Sequence, residues 1–145
     1  MLYRKIKPID SNIIKRFANI YGFPHNDDAM ELLCDVNGGK PIGLNFKYKP
    51  DETDEFIEVN VRRLLSFNPD DKYNIKDNID NFIGFEETIV PFAVDWEDNY
   101  ICYVHDNSGE EIRFYINDEC MWYQMYNEKE EPYTLETFFD DLGSW

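Results

Sequence analysis

Apolar positions recur along this chain with two different periods, and the points where one period gives way to the other mark its elements. Over residues 10–21, Ile13, Ile14, Phe17 and Ile20 stand at helical spacing with Lys15 and Arg16 on the other face, which predicts an amphipathic helix capped by Asp10 or Ser11. Gly22, Phe23 and Pro24 break it. Asn26, Asp27 and Asp28 then open a second helix with carboxylates near the positive end of its dipole, and Ala29, Leu32, Leu33 and Val36 form its apolar stripe. That helix stops at Asn37, Gly38 and Gly39, residue types that tolerate the positive φ of a C-terminal turn. Beyond the stop the period shortens. Residues 42–48 alternate as a short strand, residues 50–55 are a charged loop, and residues 56–67 alternate again, with a switch of exposure expected near Arg62. After a turn at residues 68–71, Ile75, Ile79, Phe82 and Ile83 fit a short helix closed by Gly84.

Residues 88–104, TIVPFAVDWEDNYICYV, organise the rest. Two runs of β-branched and aromatic residues flank an acidic break at residues 95–98, as expected of two central strands joined by a turn. Asp106, Asn107, Ser108 and Gly109 are a second strong turn signal leading into a strand over residues 112–116, and another turn leads into residues 121–126. Consecutive strands of this kind pair as an antiparallel meander. Residues 134–142 close the pattern as a helix capped by Thr134 that buries Leu135, Phe138, Phe139 and Leu142. The expected fold is α+β: one domain over residues 1–145, with a mixed, largely antiparallel sheet of about five to six strands and helices packed around it.

Composition sharpens this picture. A chain of 145 residues, 17% of them aromatic, is long enough to bury a core without disulfide staples. The first ten residues lack the apolar core of a signal peptide, and no apolar run approaches the roughly 18 residues of a membrane span, so a cytoplasmic protein without membrane insertion is expected. Cys34, Cys102 and Cys120 are odd in number and widely spaced, which signals neither a disulfide framework nor a zinc knuckle; each sits among apolar neighbours and is expected to be a buried, inert thiol. The net charge of −16 is uneven. Residues 1–50 hold eight Lys or Arg against five Asp or Glu, a balance of +3, whereas residues 51–145 hold six against twenty-five, a balance of −19. An acidic body of this kind repels nucleic acid and membrane phosphates and steers a basic protein partner toward itself.

Catalytic chemistry finds little support in the pattern. His25 and His105 are the two histidines, and neither belongs to a metal-binding or nucleophile motif; a capping or surface role is expected for the first and a turn role for the second. Gly38 and Gly39 end a helix where a phosphate cradle would open one. Carboxylate pairs at Glu86 and Glu87, at Asp95 with Glu97 and Asp98, and at Glu110 and Glu111 read as solvated faces, since the run at residues 95–99 lacks the central Gly and terminal Glu of a calcium loop. No catalytic, cofactor or metal site is therefore expected. Trp96, ringed by Asp95, Glu97 and Asp98, is the informative residue: it either anchors a basic partner that the carboxylates steer, or folds back as a lid on the core. Trp122, Tyr123 and Tyr126 are expected to pack in the core.

The ordered set of Phe23 and Pro24, then Asn37, Gly38 and Gly39, then Val90, Pro91 and Phe92, then Asp95 and the strand Tyr100 to Val104, resembles the SUKH superfamily. In that family a helix begins near an apolar-Pro pair and ends in Asn-Gly-Gly, and a later Ile-Pro-apolar strand is followed by Asp, a turn and another strand. The aromatic and acidic last helix is similar to residues 135–142. The turn after the family's Asp usually carries glycine, and Asp98 and Asn99 stand there in this chain. The resemblance implies an α+β fold and the function of a bacterial immunity protein, a non-enzymatic binder that neutralises a cognate toxin domain, possible toxins including basic nucleases. The alternative it implies is a regulatory scaffold of cell-wall glucan synthesis, as in fungal relatives. Candidate partner-binding residues are Asp95, Trp96, Glu97 and Asp98, followed by Glu110 and Glu111.

Overall fold

The structure, a computed structural model, describes residues 2–22, 27–50, 53–82 and 84–143. In chain order it runs β1 (Leu2–Arg4), α1 (Ser11–Tyr21), α2 (Asp27–Val36), β2 (Lys40–Ile42), β3 (Asn45–Tyr48), β4 (Ile57–Leu64), α3 (Ile75–Ile79) with a 3-10 turn at Asp80–Phe82, β5 (Thr88–Asp95), β6 (Tyr100–Asp106), β7 (Gly109–Ile116), β8 (Met121–Gln124) and α4 (Leu135–Gly143). Asp10 caps α1 as its sequence predicts, its carboxylate accepting from the Asn12 N–H at 2.8 Å. Gly22 ends the helix with φ +71. No helix among the described residues is long and apolar enough to cross a membrane.

Six strands form one antiparallel sheet in sequence order, β3 to β8, and β1 pairs with β2 in a separate ribbon. The result is one α+β domain. Pro91 lies in the middle of this sheet, where it cannot donate to a ladder; the register of β5 on β6 shifts between Pro91 and Ala93, so Phe92 is an extra residue, the kind of bulge that accommodates proline. The Phe92 carbonyl turns to accept from the Leu65 N–H at 2.8 Å. Far along the chain, Lys47 in β3 and Tyr126 beyond β8 exchange both backbone hydrogen bonds, each 2.8 Å. The chain just beyond β8 therefore meets β3 at a single bridge. Inside this curl Phe46 and Phe114 pack edge to face at 5.0 Å between ring centroids, with Tyr48 against Phe114 and Tyr123. A second aromatic group joins Phe82 to Tyr100, Tyr115 and Trp122, and Phe138 of α4 meets Phe92 and Tyr133.

The Asn37-Gly38-Gly39 stop does more than end α2. The buried Asn37 side chain donates to the Lys7 carbonyl and Ser66 Oγ and accepts from the Phe67 N–H, tying the N-terminal segment to the chain beyond β4. A Cβ on Gly39 would lie 2.9 Å from the Val36 carbonyl and 3.1 Å from the Tyr3 ring, so the residue is set by close approach.

Several expectations need correction. The run over residues 42–48 is not one strand: Gly43, at φ +79, breaks it, and its first part pairs with β1, a strand whose three residues give no alternation to read. The strand expected over residues 56–67 ends at Leu64. His105 is not a turn residue but lies in β6 opposite Glu110, stacked on Tyr103 with its Nδ1 sealed from solvent and unpartnered. Cys102 is buried, but Cys34 is half-buried and Cys120 is exposed in the turn before β8, so the three thiols are not equivalent. Phe23, Pro24, His25, Asn26 and Ile83 lie outside the described residues.

Candidate partner-binding cleft

The β5–β6 connection is built on one carboxylate. Asp95, only 5% exposed, accepts from the N–H groups of Glu97 and Asn99 at 2.9 and 2.8 Å and from Asn99 Nδ2 at 3.2 Å, while its own N–H donates to the Asn99 carbonyl. An Asp that closes a turn on its own following residues is held by geometry its short side chain favours. Asn99 Oδ1 in turn accepts from the Asn117 N–H at 3.0 Å, fastening this loop to the β7–β8 turn. Asp98 takes the left-handed φ of +61, a conformation that ordinarily favours glycine.

This stitched turn holds Trp96 outward. The indole is 69% exposed and carries the Arg62 guanidinium over its ring, 5.5 Å from the centroid, while Arg62 Nη1 lies 3.6 Å from Asp98 Oδ1. Beneath Trp96 opens a cleft of about 370 Å³. Tyr48, Ile57, Phe114 and Ile116 supply apolar surface, and Glu58, Glu97, Asp118 and Glu119, all exposed, supply charge; among the described residues no Lys or Arg lines it. The negative potential is felt by the Tyr48 phenol, which burial first, and then Glu119, Glu97 and Asp95, push above its ordinary value. Apolar surface beneath a carboxylate rim suits a long cationic side chain, whose methylenes it covers while the acids meet its head.

The six residues singled out by sequence divide three ways. Trp96 and Glu97 line the cleft exposed, and Asp98 stands beside them bound to Arg62. Asp95 touches the cleft but is buried, with its carboxylate committed to the loop. Glu110 and Glu111 belong to the other end of β6, paired with His105 and Val104, and Glu111 is bound by Arg113 at 2.5 Å. They border a different region, where Asp106 accepts from the N–H groups of Ser108 and Gly109 and from Ser108 Oγ, and these bonds, the Ser108 hydroxyl foremost, hold its carboxyl below the usual range. Sequence reasoning missed Tyr48, Ile57, Glu58, Asp118 and Glu119. Part of this was available: in a meander the β5–β6 and β7–β8 connections emerge at the same end of the sheet, so the acidic turn at residues 117–119 belongs beside the acidic turn at residues 95–99.

Among the described residues, no three His, Cys, Asp or Glu side chains are grouped to hold a metal ion. Comparison with protein-family models, with curated proteins and with solved structures finds no match.

Proposed function

We propose that this protein is a non-enzymatic binder of the bacterial immunity type, which takes a basic segment of a cognate toxin domain into the cleft beneath Trp96. The observation that carries the reading is the cleft itself: an exposed tryptophan over apolar surface, four exposed carboxylates and, among the described residues, no cation in the lining. Tryptophan supplies the anchor of such an interface and the acids supply steering and orientation. The immunity assignment rests on the SUKH resemblance, which two features support. Asp98 adopts the left-handed conformation at the turn where that family carries glycine, and Asn37 ties three parts of the chain together from its place in Asn-Gly-Gly.

The test is titration calorimetry of the full chain against the toxin domain encoded beside its gene. A 1:1 complex is expected, weakened at least about tenfold by Trp96→Ala and by the pair Glu97→Lys and Glu119→Lys. Full affinity in both variants, with folding confirmed by circular dichroism, removes the cleft from the interface. Recovery of an envelope enzyme complex and no toxin from native lysate would favour the cell-wall scaffold instead.

A further inference from the structure

In a chain of thirty acidic residues, the most buried cation has no acid partner among the described residues. Arg63 is 8% exposed, and its guanidinium lies flat on Tyr73 with Cζ 3.6 Å from the ring centroid. Its Nε is sealed from solvent and makes no hydrogen bond. The ion pairs among the described residues are Lys7–Asp71, Lys47–Glu130, Arg62–Asp98 and Arg113–Glu111, and none involves Arg63. Asp71, an acid of the segment just before Tyr73, is already engaged by Ser66 Oγ and Lys7. Burying a guanidinium without a counter-charge is unfavourable, and the Tyr73 ring face offsets only part of the hydration lost.

The fold then adds cations to this point. The Gly39 carbonyl accepts from the Leu64 N–H at 2.9 Å, which sets Lys40 beside Arg63, and the β1–β2 register places Arg4 opposite Lys40 with Lys5 next in line at φ +55. Arg63 and then Lys5 hold the Lys40 ammonium below its ordinary value, as expected of like charges brought together. Neither lysine has a carboxylate partner among the described residues. Lys72 flanks the same Tyr73 ring, its Nζ 5.3 Å from the centroid. One largely buried guanidinium without a carboxylate partner, with two ammonium groups beside it, matches a compact tetrahedral oxyanion of more than one negative charge better than a carboxylate.

We propose that Arg63, Lys40 and Lys5 form a binding site for a phosphate group, either inorganic phosphate or the phosphoryl group of a small phosphomonoester. The site is separate from the cleft beneath Trp96 and stands whether or not that cleft binds a toxin. It is tested by two-dimensional amide NMR of the full chain titrated with sodium phosphate, with adenosine monophosphate, and with sodium chloride at matched ionic strength. Saturable shifts centred on Gly39, Lys40, Arg63 and Tyr73 are expected with the phosphate compounds and not with chloride. Lys40→Gln, a change at a partly exposed side chain, should weaken binding about tenfold, the loss of one charge-assisted contact, and Arg63→Met should abolish it, while Lys15→Gln on α1 leaves it unchanged. Tighter binding of adenosine monophosphate identifies a phosphomonoester as the ligand, and tighter binding of sodium phosphate identifies the free ion. Shifts that do not saturate, that chloride reproduces, or that survive Lys40→Gln at full affinity overturn the site.

Discussion

The Arg62 guanidinium lies over the Trp96 ring, 5.5 Å from its centroid, and so places a positive charge against one wall residue of a cleft lined by acids. This contact orients the indole without burying it. Trp96→Ala should therefore lower the unfolding free energy by no more than about 1 kcal/mol in urea denaturation, while speeding dissociation of a basic partner. Arg62→Ala should act in the opposite sense on encounter. It removes a like charge from the path of a basic partner, so association measured by stopped flow should quicken and become more sensitive to salt.

Asp95 and Glu97 are two positions apart and should behave differently. Asp95→Ala leaves the N–H groups of Glu97 and Asn99 without their acceptor and is expected to cost about 1–3 kcal/mol in urea unfolding. Glu97→Ala, on an exposed side chain, should stay within about 0.5 kcal/mol of the parent. Equal stabilities would mean that Asp95 does not hold the loop together.

The thiols should report their burial in sequence. With Ellman's reagent on the folded chain, Cys120 should react fast and Cys34 slowly, because burial, then Asp35 and Asp10, push the Cys34 thiol up. Cys102, fully buried and raised well above its ordinary value by that burial, should react only on unfolding. Native-state labelling of Cys102 at the rate of Cys120, located by peptide mass mapping, would contradict the packing of β6.

Alkaline pH should unfold the protein through its tyrosines. Burial raises Tyr3, Tyr103 and Tyr133 above the ordinary 10.0, with Glu110 adding to Tyr103 and the Asp141 hydrogen bond to Tyr133, and it pushes Tyr115 up to about 12. Above pH 10 the unfolded chain has released phenolic protons that the folded chain retains, so the unfolded state binds fewer protons and stability falls as pH rises. The contribution is complete below pH 10 and is lost through the window up to the raised folded values. Tyr133→Phe should flatten that slope in denaturation series across pH 9 to 12, and an unchanged slope would assign the loss to other groups.

What the sequence disclosed was local. Asp10 as a cap, the helical stripe of α2, the paired strands around the acidic turn, and the aromatic last helix each follow from residues within one or two turns of each other. The curl that brings Lys47 to Tyr126 does not, since its two partners lie in separate hairpins and neither carries a mark of the other. The same holds for the residues of the proposed phosphate site, Lys5 just after β1, Lys40 in β2 and Arg63 in β4, which lie far apart in sequence and are brought near one another by the β1–β2 pairing and the Gly39–Leu64 hydrogen bond. Asp95 shows a subtler failure: residue type signalled a solvated acid, yet Asp followed by Asn four positions later also fits a turn that consumes its own carboxylate. The exposure of Trp96 was undecided by sequence for the same reason, because it depends on how rigidly that turn is tied.

The joining of Lys47 to Tyr126 has a consequence during synthesis. A ribosome adding about 5–20 residues per second makes β3 several seconds before the segment that pairs with its free edge. Throughout that interval the nascent chain presents an unpaired strand edge, the feature that invites pairing with other chains. Its completion must wait for residue 126 to clear the exit tunnel, so the order of synthesis leaves β3 exposed to a stranger's edge until the segment beyond β8 arrives.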